Sequence, residues 1–228
     1  PEAQPASLTL RGDLLVAAGR TADAVQAFAD SYALAPSSAL AQRRAAVLAA
    51  TGRQADAAAV LTDWLGRDPT DLAVLSLLSQ FDLQAGRHAD AERRLEAVIA
   101  RRPADATALN NLAWSLAMRG ADAERALSLA ERAFFLAPSA ASADTLGWVL
   151  VRQGQLERGV ALLRQATEAS RGAQGPDPSM AFRLAAGLKA AGRRDEAADV
   201  LRPVLASDRA FPERAEAERL MSDLGSGR

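Results

Sequence analysis

The sequence has no cysteine, one histidine, one tyrosine and one lysine, and only 4% of its 228 residues are aromatic. The missing cysteine excludes disulfides, thiolate nucleophiles and cysteine-type zinc sites, and it is compatible with reducing and oxidising compartments alike. Catalysis needs titratable groups brought together, so this short inventory argues against an enzyme. No apolar run approaches the roughly 18 residues of a membrane span. Strand signals are absent. The formal net charge is −1 with the basic residues scattered, so the electrostatic footprint of a nucleic-acid binder is missing.

What the chain does have is a core and a ruler. Hydrophobic residues make up 49% and charged residues 24%, enough to fold rather than to stay disordered. Six glycines, Gly19, Gly52, Gly86, Gly120, Gly154 and Gly192, fall at intervals of 33, 34, 34, 34 and 38 residues. Pro36, Pro69, Pro103 and Pro138 keep nearly the same beat, 33, 34 and 35 apart. Glycine supplies the left-handed backbone that ends a helix without a Cβ penalty, and proline past a helix end cannot continue it. A period near 34 is that of a helix–turn–helix repeat.

Counting each repeat from Pro5, Ser38, Leu72, Ala106, Ala140 and Pro178 aligns the glycines at position 15. Position 8 is then small throughout: Gly12, Ala45, Ser79, Ala113, Gly147 and Ala185. With one extra residue in the turn of the fourth repeat, position 20 is small too: Ala24, Ala57, Ala91, Ala126, Gly159 and Ala197. These are the places where the first helix (A) and second helix (B) of a repeat touch backbone to backbone. The large fillers are position 11 (Leu15, Leu48, Asp82, Leu116, Leu150, Leu188) and position 24 (Phe28, Leu61, Leu95, Ala130, Leu163, Leu201).

This pattern resembles the tetratricopeptide repeat over nearly the whole chain. The resemblance implies an all-α, right-handed α-solenoid, a single domain over 1–228. Its six or so repeats fall near 5–37, 38–71, 72–105, 106–139, 140–177 and 178–211, with a capping helix near 212–224. The cap's stripe is Ala217, Leu220, Met221 and Leu224. Pro1 is not a natural start, so any signal or lipid anchor is expected to have been removed or to lie upstream, and because the first A helix begins almost at once at Pro5, further repeats are expected before it. Departures from the pattern are Arg11 and Arg44 at position 7 and Asp82 at position 11. They are expected to loosen their helices or to expose that face. Pro203, inside the last B helix, is expected to kink or shorten it.

Candidate chemistry is sparse. His88 and Glu92 lie four apart on a helix, but two ligands are too few for a metal shell and an exposed pair explains them. The Gly172 to Pro178 stretch lacks the Lys-Ser/Thr of a phosphate loop and reads as a plain loop between repeats. Asp23, Asp56, Asp90 and Glu196 recur in the first turn of B helices, where the helix dipole favours them. No catalytic residue, metal or cofactor is called for.

In this family the A helices line a concave groove, and the resemblance implies that positions 2, 5, 6, 9, 12 and 13 face it. Position 9 carries Trp114 and Trp148 in adjacent repeats. Around them fall Asn110, Asn111, Met118, Asp144, Arg152, Phe182 and Arg183, with Lys189. Thr9, Gln42, Arg43, Ser76 and Gln84 supply a polar first half. The tryptophans are either core residues between neighbouring helices or a rigid platform flanked by amide and guanidinium donors. Asn111 sits where many family members bind the ligand backbone.

A succession of runs makes the last third more specific: Leu109-Asn110-Asn111-Leu112-Ala113-Trp114, then Leu129-Ala130-Glu131-Arg132-Ala133 with Leu136-Ala137-Pro138, then Asp144-Thr145-Leu146-Gly147-Trp148, and the ending Phe211-Pro212-Glu213-Arg214-Ala215-Glu216-Ala217. They are similar to the C-terminal part of bacterial repeat lipoproteins of exosortase/PEP-CTERM exopolysaccharide systems. That resemblance implies a periplasmic or outer-membrane-associated scaffold in polysaccharide export or protein sorting. The expected partner is a protein or peptide segment in the groove. The alternatives are direct polysaccharide binding, or a spacer or oligomerisation segment with no groove ligand.

Overall fold

The computed structural model describes residues 4–225 and, among them, thirteen α-helices and no strand. The fold is an all-α repeat solenoid. The chain pairs α1 (Pro5–Ala17) with α2 (Thr21–Leu34), α3 (Ser38–Ala50) with α4 (Gln54–Arg67), and α5 (Leu72–Gln84) with α6 (His88–Arg101). It then pairs α7 (Ala106–Arg119) with α8 (Ala123–Leu136), α9 (Ala140–Arg152) with α10 (Leu156–Ala169), and α11 (Pro178–Ala190) with α12 (Arg194–Leu205). Last comes α13 (Arg214–Gly225). The chain forms two compact units, one within 1–101 holding α1 to α6 and one within 102–228 holding α7 to α13.

Every A helix ends the same way. The six ruler glycines have φ between +65° and +79°, and each donates its amide three residues back while the next residue donates to the carbonyl five back. Arg20 N to Leu15 O (2.8 Å) with Gly19 N to Val16 O (3.0 Å) is repeated down to Arg193 N to Leu188 O (2.9 Å) with Gly192 N to Lys189 O (2.9 Å). This closure satisfies two otherwise orphaned carbonyls and requires a left-handed residue. Three B helices end differently: their C-caps Ala35, Asp68 and Ala137 have φ of −144°, −131° and −145° and ψ of 80°, 88° and 82°. Each precedes a proline, which excludes the helical region for the residue before it.

The extra residue in the fourth repeat is absorbed at Asp122, whose φ is +40° and whose carboxylate caps α8 at the Arg125 amide. Pro203 does not break α12; the helix passes through it and ends at Leu205, two residues shorter than the fourteen of the other B helices.

Small residues at positions 8 and 20 set how closely each hairpin closes. A Cβ on Gly147 would stand 2.9 Å from the Gly159 carbonyl, and one on Gly159 would stand 2.8 Å from the Gly147 carbonyl. No larger residue fits there. In the first hairpin the same contact is made differently, because the Phe28 ring lies over Gly12, 2.6 Å from where a Cβ would be.

The first unit's core runs from Leu15, Phe28 and Tyr32 through Leu48 and Leu61 to Leu78 and Phe81. The position-11 departure is not an exposed face. Asp82 is 2% exposed and is held by Arg87 (2.9 Å) and Arg94 (2.5 Å) from the facing helix and its turn. A carboxylate can replace the consensus leucine because two guanidinium groups replace the lost solvation. Arg11 is exposed, and Arg44 is half-buried with its guanidinium 5.9 Å from the Tyr32 ring centre.

The acidic residues of the B-helix first turns are paired locally. Arg20 with Asp23, Arg53 with Asp56 and Arg193 with Glu196 join the N-cap arginine to the third helical residue. They complement the positive helix terminus without capping a backbone amide.

Candidate functional site

The residues expected in the groove that carry the most chemistry lie on α7, α9 and α11 of the second unit, and α11 supplies the centre. Arg183 sits at position 6 of α11 and is only 9% exposed. Its Nε donates to both oxygens of Asp144 on α9 (3.0 and 2.9 Å), and its Nη2 lies 2.7 Å from Oδ2. Its Nη1 donates to Glu213 (3.3 Å), whose other oxygen accepts from the Ser179 hydroxyl (2.6 Å). The guanidinium carbon stands 5.0 Å from the centre of the Trp114 ring on α7, a cation–π distance. One side chain thus ties together three successive A helices and the segment leading into α13.

This network carries two carboxylates on one guanidinium. Burial pushes the Asp144 carboxyl above its usual value, Arg183 draws it back down, and nearby Asp177 and Glu213 add to the rise. Breaking such a pair strands a buried charge. Asp144 and Arg183 therefore spend their polar atoms inside the protein, and one face of Trp114 is covered by Arg183. The pairing spans 39 residues of sequence, and no spacing rule in a single sequence would have found it.

The other expected groove residues separate into three places. Trp148 is half-buried and packs, with Phe182, against the terminal cluster of Leu184, Leu188 and Leu201. Its indole N–H is buried and meets no acceptor. Asn110 and Asn111 are half-buried and line a small cavity of about 160 Å³ with Thr107, Ser139 and Ser142. Asn110 Nδ2 lies 3.5 Å from Asn111 Oδ1, while Asn110 Oδ1 is buried without a donor. Met118 is 43% exposed at the end of α7. Arg152 is exposed at the end of α9, with its guanidinium beside the Gly120 turn. Lys189 pairs with Asp223.

In the first unit three of the polar positions are engaged within the protein, while Ser76 is half-buried and Gln84 exposed. Thr9 bonds Ser31 (2.8 Å), Arg43 bonds Asp13 (2.9 Å) and Gln42 bonds Ser38 (3.0 Å). The third tryptophan, Trp64, is structural: its indole donates to Asp71 (2.8 Å), whose other oxygen caps α5 at Ala73 and Val74. Burial pushes the Asp71 carboxyl up, but hydrogen bonds from Ser38, the Val74 amide, Trp64 and the Ala73 amide outweigh it and hold the value below normal. Among the described residues no three metal-ligating side chains come together, and no helix is long and apolar enough to cross a membrane.

Two tetratricopeptide repeat models match residues 9–71 and 48–116. Residues 9–116 carry tetratricopeptide repeats, and the fold of the chain is that of a tetratricopeptide repeat array. A chain of the APC/C hetero-tetramer Cut9-Hcn1 is similar, with a TM-score of 0.77 and 18% identity over 97% of this chain and 43% of that one. A tetratricopeptide repeat protein from Parabacteroides merdae has a TM-score of 0.71 and 13% identity, covering 97% and 84%. PilF of Pseudomonas aeruginosa has a TM-score of 0.68 and 17% identity, covering 94% and 96%. These likenesses are of fold. No curated protein matches the sequence.

Proposed function

We propose that the chain is a non-enzymatic interaction scaffold that holds an extended partner segment along the A helices of its second unit. The carrying observation is the pair of unmatched buried polar atoms there, the Trp148 indole N–H and Asn110 Oδ1, in adjacent repeats. Leaving such a group unpaired costs about 1–3 kcal/mol. An extended peptide offers carbonyl and amide in alternation, the complement of both. Met118, Arg152 and Asn111 supply the surrounding contacts, while the Arg183 network holds the three A helices in place.

A sugar stacked on a tryptophan platform is the weaker reading, because Arg183 already occupies one face of Trp114 and Trp148 packs into the terminal cluster. The similarity of the last third to exosortase-associated lipoproteins supports a scaffold in exopolysaccharide export or protein sorting, periplasmic or outer-membrane-associated. Titration of tryptophan fluorescence with extended-peptide pools and with neutral and acidic oligosaccharides tests the reading. A saturable response to peptides, weakened in Asn111→Ala, is expected. A response to sugars alone overturns it.

A further inference from the structure

One B helix carries an aromatic ring that its repeat does not need. Phe135 of α8, nine residues after position 20, falls where the other B helices have Ala33, Gly66, Ala100, Glu168 and Ala206. Those five are small or charged, so no packing rule of the array asks for a ring there. Phe135 is 85% exposed, the most open of the large apolar side chains among the described residues, and Leu136 beside it is exposed as well.

Next to this knob the surface is hollow. A cavity of about 580 Å³ opens between α8 and α10 over Leu146 of α9, lined by Phe134, Phe135, Ala161 and Leu162. Leu146 is buried, Phe134 and Leu162 are half-buried and Ala161 is exposed. A phenylalanine ring gains about 150–250 Å² of burial when it finds such an apolar seat, and the hollow has room for one. Knob and hollow lie side by side on one face. An isologous two-fold contact needs that arrangement, the same patch on both partners with each knob in the other's hollow.

The charges fit the same partner. Glu131 of α8 and Arg158 of α10 flank the apolar floor, both exposed and 3.8 Å apart, beyond hydrogen-bond reach. Arg158 also bonds the neutral Gln155 (2.8 Å). One carboxylate with one guanidinium leaves no net charge, so the face selects neither an acidic nor a basic partner. It is complementary to itself: a second copy turned about a two-fold axis sets Glu131 of each chain against Arg158 of the other.

We infer that this face of α8 and α10 is a self-association surface, on which a second copy of the chain docks with each Phe135 ring in the other's hollow. Both helices have 14 residues. At about 21 Å in length they offer roughly 400 Å² side by side, half of the ~800 Å² that each partner gives to a stable dimer. The contact is therefore a concentration-dependent equilibrium rather than a permanent dimer. Neither Trp148 nor Asn110 lies in it, and it is independent of the groove proposed above.

Sedimentation equilibrium of the full chain from about 5 to about 500 µM tests this. The average mass should rise from 23.9 kDa towards twice that value. Phe135→Ser should stay monomeric throughout, with a thermal melt like that of the wild type because the ring is exposed. Glu131→Arg and Arg158→Glu should each weaken association at least about tenfold by setting like charges face to face. An equimolar mixture of those two variants should associate as the wild type does, since two guanidinium groups on one chain then meet two carboxylates on the other. A wild type that stays monomeric at about 500 µM leaves the face to a different protein and overturns the inference. So does Phe135→Ser associating like the wild type, or a mixture no tighter than its components.

Discussion

Each compact unit buries an aspartate, and the two are neutralised in opposite ways. Asp82 is held from within its own repeat, by Arg87 at the turn and Arg94 one helix on. Asp144 is held by Arg183 from the next repeat, which also reaches Glu213 and covers Trp114. The first is a local lock with cations in excess; the second joins successive repeats with anions in excess. In an array whose repeats touch only their neighbours, an interaction spanning three A helices adds coupling that a hairpin lock does not.

The largest effect should follow from Arg183→Met. Stranding Asp144 should cost about 3–5 kcal/mol in chemical denaturation, and amide exchange should rise in α9, α11 and the start of α13 together. Equal exchange in wild type and variant would remove the inter-repeat role. Replacing the pair at once, as Asp144→Leu with Arg183→Met, should recover most of that loss, since a buried ion pair and an apolar pair of similar volume often differ little. Asp82→Leu restores the consensus filler at position 11 and should change stability by no more than about 1 kcal/mol, in the stabilising direction. A loss as large as that of Arg183→Met would show that Asp82 is not a local lock.

The protonation of these groups sharpens the contrast. In a carboxyl-carbon NMR titration, Asp144 should titrate above the ordinary value of about 3.9 and Asp71 below it. The signs differ in consequence. Asp71, depressed in the fold, contributes stability that is present above the ordinary value and lost as pH falls through its folded pKa. Asp144, raised in the fold, contributes in reverse: its share is present below the ordinary value and lost as pH rises through its folded pKa. Asp144 titrating below Asp71 would contradict a carboxyl raised chiefly by its burial, with Asp177 and Glu213 adding to the rise. The smallest effect is expected at the exposed Arg53 and Asp56 pair, where Arg53→Gln should cost about 0.5 kcal/mol or less.

Backbone rules were legible in the sequence and charge networks were not. The glycine ruler encodes a left-handed closure that recurs six times, and small residues at positions 8 and 20 encode the close approach of Gly147 and Gly159. Both depend on local geometry that repeats with the period. Asp82 read as a defect because its second partner lies 12 residues on, across the hairpin. Asp144 and Arg183 read as groove residues because position says which face a side chain takes, not which partner it finds there. The link over 170–177 read as plain, since neither the backbone bonds between Gly172 and Gly175 nor the tie from Arg209 to the Gln174 and Pro176 carbonyls follows from composition.

On the proposed reading, the A-helix face of the second unit receives a partner's backbone at Trp148. Its indole N–H signal in a proton–nitrogen NMR spectrum, followed while a bound peptide is added, tests this most directly. A downfield, saturable shift of the Trp148 signal is expected as it gains an acceptor, with Trp64, already bonded to Asp71, unmoved. Saturation of the peptide with the Trp148 signal unchanged would contradict it.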